Sequence, residues 1–105
     1  MDLNQLARAL NAFAAYDPTG FPVHYAQLFL YVARKGHCAF AELEEELKVT
    51  NGGISRAVAS MSDTRANGRP GYRLLEVYKD PEQPRRYQVR LSPFGHALYK
   101  QLRDS

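Results

Sequence analysis

The chain has 105 residues, 45% of them hydrophobic and 24% charged, with a formal net charge of +3. This length suits a single domain, residues 1–105, with a substantial core, and no apolar run approaches the roughly 18 residues of a membrane span. One cysteine and three histidines exclude an intramolecular disulfide and a clustered metal site. Residues 1–4 lack the basic and then apolar profile of a signal peptide, so we expect a cytoplasmic protein with neither a membrane partner nor a cofactor.

Charge is divided unevenly along the chain. Residues 1–49 carry four Lys/Arg and six Asp/Glu, whereas residues 50–105 carry ten Lys/Arg and five Asp/Glu. A one-sided basic excess is typical of a nucleic-acid-binding protein. A solvated basic face without a partner would have the same composition, so this alternative stays open.

The first predicted helix covers residues 2–15, with Asp2 as its N-cap and a turn cluster at residues 17–20 after it. In a small domain such an amphipathic helix either joins the core or packs against a second subunit. Its apolar stripe consists of Leu3, Leu6, Ala7, Leu10 and Phe13 or Ala14.

A second helix is predicted from Pro22, at its first position, to Gly36, which ends it. It is apolar over most of its circumference and should be the central buried helix. Cys38 follows, and we expect it to behave as a small buried hydrophobe, because a redox role would need a lowered pKa and some exposure. His24 and His37 flank this helix and are expected at the surface or in caps rather than as catalytic bases.

Residues 39–63 contain two short amphipathic helices separated by a tight turn. In the first, Phe40, Leu43 and Leu47 recur at helical spacing, and its four glutamates are expected on a solvated face that points away from any phosphate. Val49 fills the turn, and Thr50 supplies an N-cap hydroxyl for the second helix.

The second of these helices turns an apolar stripe inward and leaves small or hydrogen-bonding side chains outside. Its outward face carries Arg56 and no acid before Asp63. Such a surface can approach the major groove of DNA, because neither bulk nor negative charge obstructs it. The pattern therefore predicts a helix-turn-helix with a recognition helix, although a purely structural helical hairpin would have the same periodicity.

A basic polar loop follows, in which Arg65 either reaches a backbone phosphate or lies in a simple connection. Residues 72–91 then alternate with period two on either side of a proline-containing connection, which predicts a β-hairpin. Lys79, Arg85 and Arg86 flank its tip, so the hairpin is interpreted as a wing. Ser92 and a following proline open a last helix over residues 93–103.

This order of elements resembles the winged-helix transcription regulators of the multiple-antibiotic-resistance regulator (MarR) type. The residues with the sharpest resemblance follow that family's pattern of a wing arginine, then Val-x-Leu-Ser-x-x-Gly: Arg85, Val89, Leu91, Ser92 and Gly95. Ala41-Glu42-Leu43, Leu47, Val49 and Ile54-Ser55-Arg56 resemble its helix-turn-helix. Gln83 stands where the family has an acidic residue.

The resemblance implies a mainly α fold with a small β-hairpin, sequence-specific binding of a palindromic double-stranded operator by a homodimer, and repression of transcription. The predicted DNA contacts are Thr50, Asn51, Gly53, Ser55, Arg56, Ser60, Arg65, Lys79, Arg85 and Arg86. The predicted dimer contacts are Leu3, Leu6, Leu10, Phe13, Leu98 and Leu102. No small-molecule effector is expected to be required. A winged-helix module for protein–protein contact remains the alternative, and an enzyme is a distant third, because no nucleophile–base pair or phosphate loop is present.

Overall fold

The computed structural model describes residues 2–63 and 70–104. Across these ranges, no helix combines the length and the apolar character needed to cross a lipid bilayer. The elements in chain order are α1 (Leu3–Ala14), α2 (Val23–Lys35), β1 (His37–Ala39), α3 (Phe40–Leu47), α4 (Asn51–Met61), β2 (Leu75–Lys79), β3 (Tyr87–Leu91) and α5 (Pro93–Arg103).

The helix boundaries follow the capping residues. Asp2 accepts a hydrogen bond from the backbone N–H of Gln5, whose side chain accepts from the Asp2 N–H in return, so α1 begins with a capping box. Helix α2 ends at Gly36, where the positive φ of 90° suits a residue without a Cβ. Pro22, predicted as the first residue of α2, is instead its N-cap, and the helix begins at Val23.

Helix α2 is the centre of the core. Leu28, Phe29 and Val32 are fully buried. Burial of such a side chain stabilises the fold by roughly 1.5–3 kcal/mol each. The buried side chains of the same cluster include Leu43, Ile54, Val58, Met61, Leu74, Leu75 and Val89, so the helix-turn-helix and the sheet share one core.

The strands form an antiparallel sheet in the order β1-β3-β2 within the described residues. Strand β1 was not predicted, because three residues are too few for a period-two pattern. Strand β2 begins at Leu75 rather than at Tyr72. The reason is Arg73, whose φ of 60° breaks the extended backbone, so that Leu74 and Leu75 are both buried instead of alternating.

Helix α1 leaves much of its apolar stripe uncovered. Leu3, Leu6 and Leu10 are 82%, 43% and 53% exposed. They lie at i, i+3 and i+7 and therefore share one face of the helix. This face remains available for a second subunit.

Two other predicted dimer residues are covered by their own chain. Phe13 is buried, with its ring 5.4 Å from that of Phe21, and Leu98 of α5 is buried as well. Leu102 is partly buried against the core. The prediction that Phe13 and Leu98 form a dimer interface is corrected accordingly: both stabilise the protomer.

Residues 71–74 lie directly before β2 and contact the end of α4, and we call them the entry segment. Its amides donate to the last carbonyls of α4, at N···O distances of 2.9 Å from Tyr72 to Ser60, 3.1 Å from Arg73 to Ser62 and 2.7 Å from Leu74 to Met61. The carbonyls at a helix end have no partner within the helix, so the entry segment satisfies them.

The other side of the entry segment is held by the start of α5. The Ser92 hydroxyl donates to the Arg73 carbonyl oxygen (2.5 Å) and accepts from the Gly95 N–H (3.0 Å). The Ser92 N–H donates to the Leu74 carbonyl oxygen (3.0 Å). A Cβ at Gly95 would lie 2.1 Å from that same oxygen, so the close approach requires glycine.

We therefore expect Gly95→Ala to destabilise the protein by about 1–3 kcal/mol, although alanine is the better helix former, because the Leu74 carbonyl has to move. Gly52→Ala is the matched control. A Cβ at Gly52 meets no described atom within 4 Å, so this change should be neutral or stabilise by up to about 1 kcal/mol. Urea unfolding followed by circular dichroism at equal protein concentration measures both. Equal stability of Gly95→Ala and the wild type would contradict the packing argument.

Candidate nucleic-acid interface

The turn between α3 and α4 is closed by side-chain packing. Lys48 caps α3 in the left-handed conformation, with a φ of 55°. Val49 packs partly buried against the core. A Cβ at Gly53 would lie 2.6 Å from Val49 Cγ1, so the absent side chain makes room for the valine. Gly53 was predicted to allow close approach of DNA, but its lack of a Cβ serves this internal contact instead.

The exposed face of α4 is narrower than predicted. Asn51, Gly52, Ser55 and Arg56 are exposed, and the opposite side of the helix is buried. Among the described residues, no carboxylate pairs with Arg56. Gly52, which was absent from the predicted contacts, lies in this face and contributes no side-chain bulk.

Two further residues predicted to contact DNA have partners inside the protein. The Ser60 hydroxyl accepts a hydrogen bond from the phenol of Tyr25 on α2 (3.3 Å) and is half-buried, so it faces α2 rather than the solvent. The Thr50 hydroxyl accepts from the Gly53 N–H (3.2 Å), which confirms it as the N-cap of α4. Ser60 is therefore removed from the candidate contacts.

One acidic side chain lies beside the start of α4, contrary to the expectation that the glutamates point away from phosphate. Asn51 Nδ2 donates to Glu44 Oε2 at 3.4 Å. Glu42, by contrast, contacts Tyr31 and Lys35 and lies between α3 and α2. Glu44 thus adds a negative charge at the edge of an otherwise neutral and basic face.

The wing tip is organised by Asp80. Its carboxylate accepts from the Glu82 N–H (2.9 Å) and from Gln88 Nε2 (3.0 Å), and its own N–H donates to the Arg86 carbonyl oxygen (2.9 Å). Within the described chain no carboxylate pairs with Arg85 or Arg86. Both arginines are exposed, as is Lys79.

The two faces of the wing differ. On the outer face Arg90 pairs with Glu76 (Nε to Oε1, 3.3 Å) and covers the ring of Tyr78 at 4.6 Å. The other face carries Val77 and Tyr87 and turns toward α4. Residues of α3, α4 and the wing line a shared depression there, which we call the helix–wing groove: Phe40, Asn51, Ser55, Val77, Arg85 and Tyr87.

Several of the predicted DNA contacts lie close to one another in the structure. Asn51, Ser55 and Arg85 meet at the helix–wing groove, and Arg56 lies on the same exposed face of α4 as Ser55. Tyr87 also lines the groove and was not predicted, because strand alternation had assigned it only to a strand face. Residues 64–69 lie outside the described ranges, and so does the predicted contact Arg65.

We also looked for a metal site and for reactive side chains among the described residues. Among the described residues, no three His, Cys, Asp or Glu side chains are placed to share a metal ion. The Tyr31 phenol donates to Glu42 Oε2 (2.5 Å), and this hydrogen bond, together with burial, raises the pKa of Tyr31 to about 12. Burial, followed by the charge of Glu42, raises the pKa of the Cys38 thiol to about 12.

Cys38 should therefore be inert in the folded protein. Cys38 is 2% exposed. Because the pKa of its thiol is raised, the thiolate that reacts with disulfide reagents is not populated near pH 8. A thiol-specific chromogenic disulfide should label the native protein very slowly at pH 8 and label it completely in urea, where the thiol pKa returns to its ordinary value. Complete labelling of the native protein on mixing would contradict this assignment and reopen a redox role.

No protein-family model matches this sequence, and a search of curated proteins finds no match. Solved structures match its fold. A cysteine-to-serine mutant of MarR from E. coli, complexed with operator DNA, has a TM-score of 0.66 at 20% identity over 92% of this chain. BpsR of Bordetella bronchiseptica, whose DNA binding is regulated by 6-hydroxynicotinic acid, has a TM-score of 0.63 at 16% identity over 96% of this chain. A MepR mutant from a multidrug resistant S. aureus clinical isolate has a TM-score of 0.65 at 14% identity over 97%.

This chain spans 62% of the operator-bound MarR chain, 72% of BpsR and 74% of MepR. At such identities the likeness establishes the fold: this is a winged helix-turn-helix protein. More particularly, it has the arrangement of helices and wing found in MarR-type regulators, which confirms the predicted fold class.

Proposed function

We propose that this protein binds double-stranded DNA sequence-specifically as a homodimer and acts in the cytoplasm as a transcription regulator, repressing by covering a promoter. The observation that carries the proposal is the combination of an exposed, small-residue face on α4 with arginines on α4 and at the wing tip that pair with no carboxylate of the described residues. That arrangement suits a helix in the major groove and a basic hairpin on the backbone or minor groove.

In this proposal α4 is the recognition helix. Arg56 lies one turn into it, where its guanidinium can donate two hydrogen bonds to O6 and N7 of a guanine. Asn51 and Ser55 flank the same face, and Gly52 lets the backbone approach. The first N–H groups of α4 and its dipole favour a phosphate near Thr50.

The wing supplies charge rather than sequence reading. Lys79, Arg85 and Arg86 are exposed, and none of them is neutralised by a carboxylate of the described residues. Each phosphate contact releases counterions from the duplex, so the affinity from these contacts depends on salt. The Asp80 hydrogen bonds support the proposal because they shape the tip without neutralising its arginines.

The comparisons support the same function. MarR with operator DNA is one of the structural matches, and we extend DNA binding from that protein to this one as a proposal. In BpsR, 6-hydroxynicotinic acid regulates DNA binding. For this chain we propose that DNA binding requires no effector, since the aromatic residues between α1 and α2 pack against one another, with the ring of Phe13 5.4 Å from Phe21 and 5.6 Å from Phe29.

Substitution of the arginines should distinguish base-specific contacts from contacts with the phosphate backbone. Arg56→Ala should weaken binding by roughly 1–3 kcal/mol and relax the preference at one base pair, as expected when a bidentate base contact is removed. Arg85→Ala and Arg86→Ala should weaken binding to selected and scrambled duplexes alike and lower the salt slope by about one for each phosphate contact that the substitution removes. Fluorescence anisotropy with ligand-free protein at several salt concentrations measures both effects.

Arg90→Ala is the charge-matched control, because its guanidinium pairs with Glu76 on the outer face of the wing. It should change the affinity little. If Arg56→Ala keeps full specificity while a wing variant abolishes it, the roles of the two elements are reversed. If ligand-free protein binds no duplex until a metabolite is added, the proposal about the effector is wrong.

The uncovered stripe of α1 is the proposed centre of the dimer interface. Leu10→Glu places a charge on the face shared by Leu3 and Leu6, and desolvating it against a second subunit is unfavourable. Sedimentation at tens of micromolar should therefore show a dimer for the wild type and a monomer for Leu10→Glu. Asn4→Glu, which adds the same charge on another face of α1, should stay dimeric. A monomeric wild type with and without DNA would refute the dimer.

A further inference from the structure

The helix–wing groove is lined by apolar, polar and cationic residues together. Its apolar residues include Val77, which is 41% exposed, and Phe40, which is partly buried against the core. Ser55 and Arg85 line the same groove and supply a hydroxyl and a positive charge. The groove therefore offers apolar contact and hydrogen-bond donors in one place.

Tyr87 is the most exposed aromatic residue in this groove, at 48%. Its phenol makes no hydrogen bond to any part of the chain that the structure describes. Tyr78, on the opposite face of the wing, donates to Gln88 (3.1 Å). Lys79 is the cross-strand partner of Tyr87, so a cation extends from the same side of the sheet.

We infer that the helix–wing groove seats one sugar–phosphate strand of a DNA duplex, with the Tyr87 hydroxyl donating to a phosphate oxygen and Val77 contacting deoxyribose carbons. This inference rests on the proposed function. If α4 lies in the major groove and the wing tip lies on the neighbouring minor groove, the strand that separates these two grooves passes between α4 and the wing. That path is the helix–wing groove.

The chemistry of the groove fits this occupant. The strand alternates anionic phosphates with apolar sugar edges, and the groove brings Arg85 and the Tyr87 phenol together with Val77. Lys79 and Arg86 extend the positive charge at the tip, so a polyanion is attracted along the groove and not at a single point. Neither Tyr87 nor Val77 touches a base edge in this arrangement, so both contribute affinity without sequence preference.

Tyr87→Phe tests the hydroxyl with little change in shape. Affinity for the selected duplex and for scrambled DNA should fall by the same factor, about 10- to 100-fold, as for one hydrogen bond to a charged acceptor. The salt slope should not change, because a neutral donor releases no counterion. Arg85→Ala, in contrast, should lower that slope by about one. Tyr78→Phe, the same substitution on the other face of the wing, is the control and should bind like the wild type.

A second measurement locates the phosphate. Duplexes that carry a neutral methylphosphonate at one position at a time are bound by the wild type and by Tyr87→Phe. At one position the methylphosphonate should weaken binding by the wild type but should not weaken binding by Tyr87→Phe any further. A double-mutant cycle gives this result when the two groups are in direct contact. Unchanged affinity of Tyr87→Phe for both duplexes, or independent effects at every phosphate, would overturn the inference while DNA binding itself stands. A wild type that binds no duplex would overturn the proposed function as well.

Discussion

The entry segment, residues 71–74, is the constraint on which the rest of the candidate interface depends. Its amides bind the carbonyls at the end of α4, and its own carbonyls bind Ser92 at the start of α5. Because Gly95 has no side chain, the helix approaches the segment closely enough for Ser92 to cap α5 and hold the wing at the same time. Helix α4 and the wing are thereby held together by the hydrogen bonds of a few residues. The Leu-Ser-x-x-Gly pattern therefore has a structural role, because Ser92 and Gly95 hold α5 against the entry segment.

The pairing of acidic and basic side chains differs between the two faces of the wing. Glu76 neutralises Arg90 on the outer face, while Arg56, Arg85 and Arg86 stay free of the carboxylates in the described chain. Asp80, at the start of the tip, accepts hydrogen bonds from the Gln88 amide and from the Glu82 N–H. Glu44 is the exception, since it lies next to Asn51. Its carboxylate accepts a hydrogen bond from the Asn51 amide and places a negative charge beside the start of α4.

Much of the fold could be predicted from sequence because its signals are local. The caps at Asp2, Thr50 and Ser92 and the turn glycine at Gly36 each act within four residues. The larger failures are effects of tertiary packing. Strand β1 exists because β3 pairs with it, and no signal within three residues reveals that pairing.

The same distinction explains the candidate site. The helical wheel identifies the outward centre of α4 but not its edges, so Ser60 was assigned to DNA although Tyr25 binds it. An apolar stripe does not reveal what covers it, which is why Phe13 and Leu98 were assigned to a partner although their own chain covers them. Tyr87 became a candidate only when the register of β2 and β3 turned it toward α4.

Selection of bound sequences from a random pool of double-stranded DNA tests the central claim most directly. The account predicts enrichment of a palindromic site whose half-sites lie about one helical turn apart, because two copies of α4 in a symmetric dimer enter successive major grooves on one side of the duplex. A pool without enrichment at low salt, from protein whose circular dichroism spectrum shows the intact fold, would contradict it and favour a winged helix that contacts another protein.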